Sequence, residues 1–384
     1  MKKIFYLISL TILALTACQN NNSPTQKQSI KNYAESLDSS GFSVYLTGAI
    51  QRQEIFSNSI TADVETDEVF SPPKTDAADD PAIWVNQERP EESLVLGTNK
   101  KGGIHVYNMN GKELQFVKSG CMNNIDLRDD FNYNQKEVVL VAASNCTLNT
   151  ISLFYIDKET KILSESILEI ESSVDLVYGL CMYKSQKTNK YYVFVNGEGA
   201  EVEQWEIYTK EKEIEVKLVR QFKVSSKPEG MVADDEKGNI YIGVEEEGIL
   251  KLNAEPEYGF KTEWLNGSNP TDRSLVSSDI EGLALYKTDT LTYLVASSQG
   301  NFSYAIFELG EKERYILSFV IDDGVIDGAI ETDGLEIIND SISEKFPKGM
   351  LVVQDGYNFE NDSIQKQNFK YVSWEKIEQL IETN

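Results

Sequence analysis

The chain has 384 residues, 41% of them hydrophobic, enough to bury one large core or two small ones. Asp and Glu outnumber Lys and Arg by 62 to 36, a formal net charge of −26. Such acidity repels nucleic acid, and it repels phosphorylated ligands as well unless bound cations reverse the local field.

The chain opens with Lys2 and Lys3 before an apolar stretch, 4–15, that is too short to span a bilayer comfortably. It ends in Leu15-Thr16-Ala17-Cys18, which resembles a bacterial lipobox, so cleavage before Cys18 and lipidation of its thiol are expected. Gln19, where Asp would favour inner-membrane retention, points to an outer-membrane or cell-surface anchor, with the periplasm as alternative. Residues 1–18 therefore read as a signal and 19–44 as a flexible polar tether that begins Gln19-Asn20-Asn21-Asn22. Residues 45–384 read as one folded domain.

From about residue 43 the pattern is short strands between turns. Strands are predicted at 82–86, 93–98, 103–108, 137–144, 150–157, 190–196, 239–245, 292–297 and 349–354, with turns at Asn110-Gly111, Lys237-Gly238 and Asp323-Gly324. Helical periodicity is confined to the tail, where Trp374, Ile377 and Ile381 mark one face. So many strands exceed a single sandwich and suit a propeller of four-stranded blades, six or seven by spacing. No repeat of the WD or kelch kind is visible.

The chemistry concentrates in acidic strand ends. Asp76, Asp79 and Asp80 precede the apolar run Ile83-Trp84-Val85, although Asp is disfavoured in strands. Clustered carboxylates are what a hard cation such as Ca²⁺ requires. Acids recur beside glycine at Glu229-Gly230, Glu245-Glu246-Glu247-Gly248, Asp279-Ile280-Glu281-Gly282, Asp327-Gly328, Asp333-Gly334 and Asp355-Gly356. One such pair is an ordinary turn, in which Gly aims the preceding carboxylate off the sheet. A series of them in a propeller can converge on the mouth of the central channel.

Phosphatase chemistries that use a histidine or cysteine nucleophile lack their residues. The sole histidine, His105, sits in the strand Ile104-His105-Val106-Tyr107 and reads as an ordinary strand residue. No cysteine is followed by five residues and then Arg, the spacing of a thiol phosphatase loop. In an oxidising compartment Cys121, Cys146 and Cys181 permit one disulfide and leave one thiol over.

Asp76–Val85, 123–128, 177–183, 227–235, 279–285, 296–306, 332–335, 353–358 and 367–374 resemble, in preserved order, the β-propeller phytases, calcium-dependent 3-phytases. Asp279-Ile280-Glu281-Gly282-Leu283 and Ala296-Ser297-Ser298-Gln299-Gly300-Asn301 are the most specific of these segments. The resemblance implies an all-β, six-bladed propeller that hydrolyses inositol hexakisphosphate (phytate) with several Ca²⁺ ions. It implies Asp79, Asp80, Glu229, Glu245, Asp279 and Glu281 as ligands of the active-site ions, with Glu229, Glu245, Asp279 and Glu281 catalytic. It implies Glu65, Asp327, Asp333, Asp355 and Asn358 as further Ca²⁺ ligands, and Lys100, Lys101, Asn124, Asp126, Tyr178 and Gln299 as substrate contacts. A monomer without a nucleic-acid partner is expected, held at a membrane by its lipid.

Three positions depart from the family. Cys121 and Cys146 stand where basic residues are usual, and Glu198 where Lys is common. The two thiols replace neighbours in one pocket, so a Cys121–Cys146 disulfide at its rim is expected, with Cys181 as a small core residue. The alternatives to a phytase are a calcium propeller that captures inositol phosphates with little turnover, and a phosphomonoesterase for another polyphosphorylated substrate.

Overall fold

Six antiparallel sheets follow one another along the chain and close into a six-bladed β-propeller in the computed structural model. The structure describes residues 25–37, 41–268, 276, 279–310, 312–360 and 363–384, so Cys18 lies outside the described residues. The first strands of successive blades run Ala78–Trp84, Met122–Tyr133, Val177–Lys184, Pro228–Asp234, Ile280–Lys287 and Leu335–Ile338. They contact one another in a closed ring around the axis. All nine strands predicted from sequence are present to within a few residues.

The middle strands do not alternate apolar and polar residues. In blade 2, Val138 to Ala143 are all buried, because each blade is covered on both faces by its neighbours. The core is accordingly six wedges of apolar side chains, one between each pair of blades. The ring is closed by the chain ahead of blade 1. Ser59–Thr61 adds in parallel to the outer strand of blade 5, and Val64–Glu65 pairs with Asn368–Ser373 as the outer strand of blade 6. The terminal helix, Trp374–Thr383, buries Trp374 and Ile377 as its periodicity requires, and Trp374 stacks on Tyr286.

The expected tether is corrected over part of its length. Gln26–Ser36 forms helix α1, capped by the Thr25 side chain, and Gly41–Gln53 forms helix α2. Ile30, Ala34, Leu46, Ala49 and Ile50 pack with Phe302, Ile330 and Tyr357 of blades 5 and 6. The polar composition of 19–44 hid the first part of this hairpin, whose buried apolar residues share one contact. No helix among the described residues is long and apolar enough to cross a bilayer.

Candidate functional site

One local feature repeats at the start of the first strand in blades 1 to 5. The register slips between Ala78 and Pro81, Met122 and Ile125, Val177 and Leu180, Pro228 and Met231, and Ile280 and Leu283. Each slip is a β-bulge, which re-aims side chains at the end of a sheet. The bulged pairs are Asp79-Asp80, Asn123-Asn124, Tyr178-Gly179, Glu229-Gly230 and Glu281-Gly282. Asp333-Gly334 holds the corresponding place before Leu335. Asp79 and Asp80 thus lie within their strand, which begins at Ala78, rather than in a turn before it.

The glycines of this ring allow close approach; among the ring's glycines no positive φ demands them. A Cβ on Gly179 would lie 1.9 Å from the Glu229 carbonyl oxygen, and one on Gly282 2.6 Å from the Leu335 nitrogen. Gly282 and Gly334 donate N–H bonds to the carbonyls of Asp333 and Asp79, both at 3.1 Å. In blade 1, Asp80 takes the glycine's place and its Oδ2 accepts the Ile125 N–H at 2.9 Å. Each bulge is therefore keyed to the next.

The ring brings some of the expected residues together. One carboxylate oxygen from each of Glu229, Glu245 and Glu281 lies within 4.8 Å of the others. Glu229 Oε2 and Glu281 Oε2 are buried and make no hydrogen bond. An uncompensated buried carboxylate is costly. Burial lifts the Glu281 carboxyl to about 7, against the opposing pull of Lys100 and Lys227. Asp279, whose carboxylate is not one of the three, has a left-handed backbone, φ 64°, and donates its N–H to the Glu245 carbonyl.

Beside the triad lies a cavity of about 400 Å³ lined by Lys100, Tyr178, Glu281, Gln299, Glu331 and Asp333, among others. Lys100 Nζ sits 2.8 Å from Asp79, 3.3 Å from Asp333 and 3.5 Å from Asp76. Gln299 Nε2 donates to Asp333 Oδ1 at 2.5 Å. Sequence reasoning missed Lys227, which pairs with Glu245 at 2.8 Å and lies over the Tyr178 ring. Its place two residues before the bulged Glu229 was the available signal. It also missed Glu331, which burial, then Asp76, raises to about 8.

Other expected residues lie elsewhere. The Lys101 side chain is exposed and does not line the cavity; its N–H closes a turn on Asn99. Asn124 and Asp126 lie with Asp80 deeper in the axial channel, where Asp126 pairs with Arg128 at 2.8 Å. Glu65, Asp327 and Asp355 gather around the fully buried ammonium of Lys370. Gln26 of α1 donates from the other side to Asp327, Asp355 and the Tyr357 carbonyl. Asn358 donates to the Lys366 carbonyl. This second acidic group carries its own cation, a lysine that sequence spacing gave no reason to place there.

Cys121 and Cys146 form a disulfide with Cα atoms 5.3 Å apart, tying the segment before the blade 2 bulge to the turn between Lys136–Asn145 and Thr150–Asp157. Cys181 is a buried thiol. His105 is buried within blade 1 and bonded to Glu113, as its strand position suggested.

The family model described as Phytase matches residues 30–384 of the chain. A relative described as 3-phytase from Bacillus subtilis (strain 168) is 44% identical over 330 residues, 84% of this chain and 85% of that protein. Among solved structures, a protein of unknown function from Bacteroides thetaiotaomicron aligns at TM-score 0.49 and 12% identity, over 82% of this chain and 75% of that one. One of unknown function from Desulfotomaculum acetoxidans aligns at TM-score 0.43 and 15% identity, over 61% and 70%.

Proposed function

Because the chain belongs to the phytase family, and is on that ground a phosphoric monoester hydrolase, we propose that it releases phosphate from phytate in a Ca²⁺-dependent reaction. The observation that carries the proposal is the convergence of Glu229, Glu245 and Glu281, two of which keep a buried oxygen without a hydrogen bond. The donor set is entirely oxygen, which suits a hard cation rather than a thiophilic one. Glu229, Glu245, Asp279 and Glu281 would hold such ions, with Asp79 and Asp333 beside them. When bound, Ca²⁺ supplies charge neutralisation for phosphate oxygens and acidifies the attacking water.

The protein's own groups do the rest. Lys100 lines the cavity and Lys227 lies over the ring of Tyr178, which also lines it; both would take phosphate oxygens in exchange for their present carboxylate partners. Glu229 is placed to orient the water and accept its proton. Gln299 and Tyr178 line the space into which the substrate ring fits. No covalent nucleophile is required, since the reaction is a direct attack of water on phosphorus.

The test is phosphate release from inositol hexakisphosphate, with Ca²⁺ and with excess chelator. Release that requires Ca²⁺ and falls at least about 100-fold in Glu229→Gln supports the proposal. A second reading rests on the disulfide, which stands where the family carries two basic groups: the propeller captures inositol phosphates with little turnover. Binding by calorimetry without release would favour it. We also propose export with lipidation at Cys18, on the lipobox alone; loss of metabolic lipid labelling in Cys18→Ala is its test.

A further inference from the structure

The hairpin of α1 and α2 is fastened to the rim of the cavity rather than to the outside of the propeller. Arg52 Nε donates to the Gly300 carbonyl at 2.8 Å, and Gln53 Nε2 to the Phe302 carbonyl at 2.9 Å. Both acceptors belong to the short turn Gln299–Asn301 and its left-handed cap Phe302, φ 52°. Phe302 is also in the apolar contact that seats both helices. From the same hairpin Tyr33 lines the cavity directly.

The turn so gripped begins with Gln299, whose amide faces two ways. Its Nε2 donates to Asp333 Oδ1 at 2.5 Å, and its Oε1 lies 3.4 Å from the Tyr45 hydroxyl of α2. A primary amide offers donors at one end and an acceptor at the other, so its partners fix its orientation. A phenol hydroxyl is protonated at neutral pH and has one O–H to donate. A hydroxyl that stays a donor selects the Oε1 end and leaves the –NH₂ end for Asp333. Without it, a half-turn of the amide would present an oxygen to a carboxylate.

We propose that Tyr45 is a positioning residue for the phosphate-releasing site, holding the Gln299 amide and through it Asp333, and that the helical hairpin is the element that delivers it. The inference rests on the hydrolase reading given above. It assigns to the helical segment before the propeller a part in the site, where the sequence suggested a tether as far as residue 44.

The experiment is a double-mutant cycle on the full, Ca²⁺-loaded chain, reading kcat and KM for inositol hexakisphosphate in wild type, Tyr45→Phe, Gln299→Ala and the double variant. Tyr45→Phe should lower kcat/KM by roughly five- to tenfold, the scale of one hydrogen bond, with Tm unchanged. In the Gln299→Ala background the same substitution should have no further effect. Equal losses in both backgrounds, or no loss in Tyr45→Phe, would overturn the proposal. A wild type that releases no phosphate would instead remove the hydrolase reading, and this inference with it.

Discussion

Gly230 presses against the carbonyl oxygen of Glu281: a Cβ at Gly230 would come within 1.6 Å of it. The contact joins the bulge of blade 4 to that of blade 5 and sets the spacing of Glu229 from Glu281. Backbone, rather than a flexible side chain, is the obstacle, so no rotamer change relieves the clash.

Gly230→Ala should therefore spread two blades at the mouth. We expect a loss of about 1–3 kcal/mol in stability, the range for overpacked sites, and a larger proportional loss of phosphate release. Urea unfolding and an activity assay check this. Unchanged activity would show that the spacing of Glu229 and Glu281 is not held by this contact.

Lys100 is the partner of three acids and, in the proposed function, a hydrogen-bond donor to the substrate's phosphate. Lys100→Met should leave Asp79 and Asp333 without their ammonium and lower the stability of the cation-free protein by about 3–5 kcal/mol, the cost of breaking a buried pair. Added Ca²⁺ should recover part of it, while KM for phytate rises. Thermal unfolding with and without Ca²⁺, together with KM, tests both halves.

The stability of the cation-free protein should fall as pH rises. Burial lifts Glu281 to about 7, Glu331 to about 8 and Glu336 to about 8, from an ordinary 4.5. The folded chain thus holds protons that the unfolded chain has released. The stability this confers is complete below pH 4.5 and is lost as pH climbs through 7 to 8. In chelator Tm should decline from pH 5 to pH 8, and Ca²⁺ should flatten the decline if Glu281 is a ligand. A Tm that rises over that window in chelator would contradict the assignment.

Reducing the Cys121–Cys146 bond, which closes a separation of 25 residues, should cost about 3 kcal/mol on the loop-entropy scale. The comparison is Tm of the intact protein against the Cys121→Ser/Cys146→Ser variant. Alkylation of the folded, unreduced chain should label neither these two nor the buried Cys181. Labelling of Cys121 and Cys146 without reductant would refute the bond.

The sequence by itself determined the strands and the inventory of acids. Gly- and Asn-rich turns between short β-branched runs mark strands locally, and the predicted Thr150–Asp157 is reproduced residue for residue. The blade number and the nature of the mouth were legible through family resemblance, since spacing alone allowed six or seven. Only the tertiary structure decided which acids meet. The bulge that builds the mouth recurs as Asp-Asp, Asn-Asn, Tyr-Gly, Glu-Gly and Glu-Gly, with Asp-Gly in the corresponding place of blade 6, so it has no fixed lettering to betray a repeat. What those pairs share is a backbone place. Blade closure likewise sets whether an acid faces a neighbouring acid, as Glu229 faces Glu281, or an ammonium, as Asp355 faces Lys370. These are contacts between residues far apart in the chain, and their energies depend on burial that the ring creates only when it shuts.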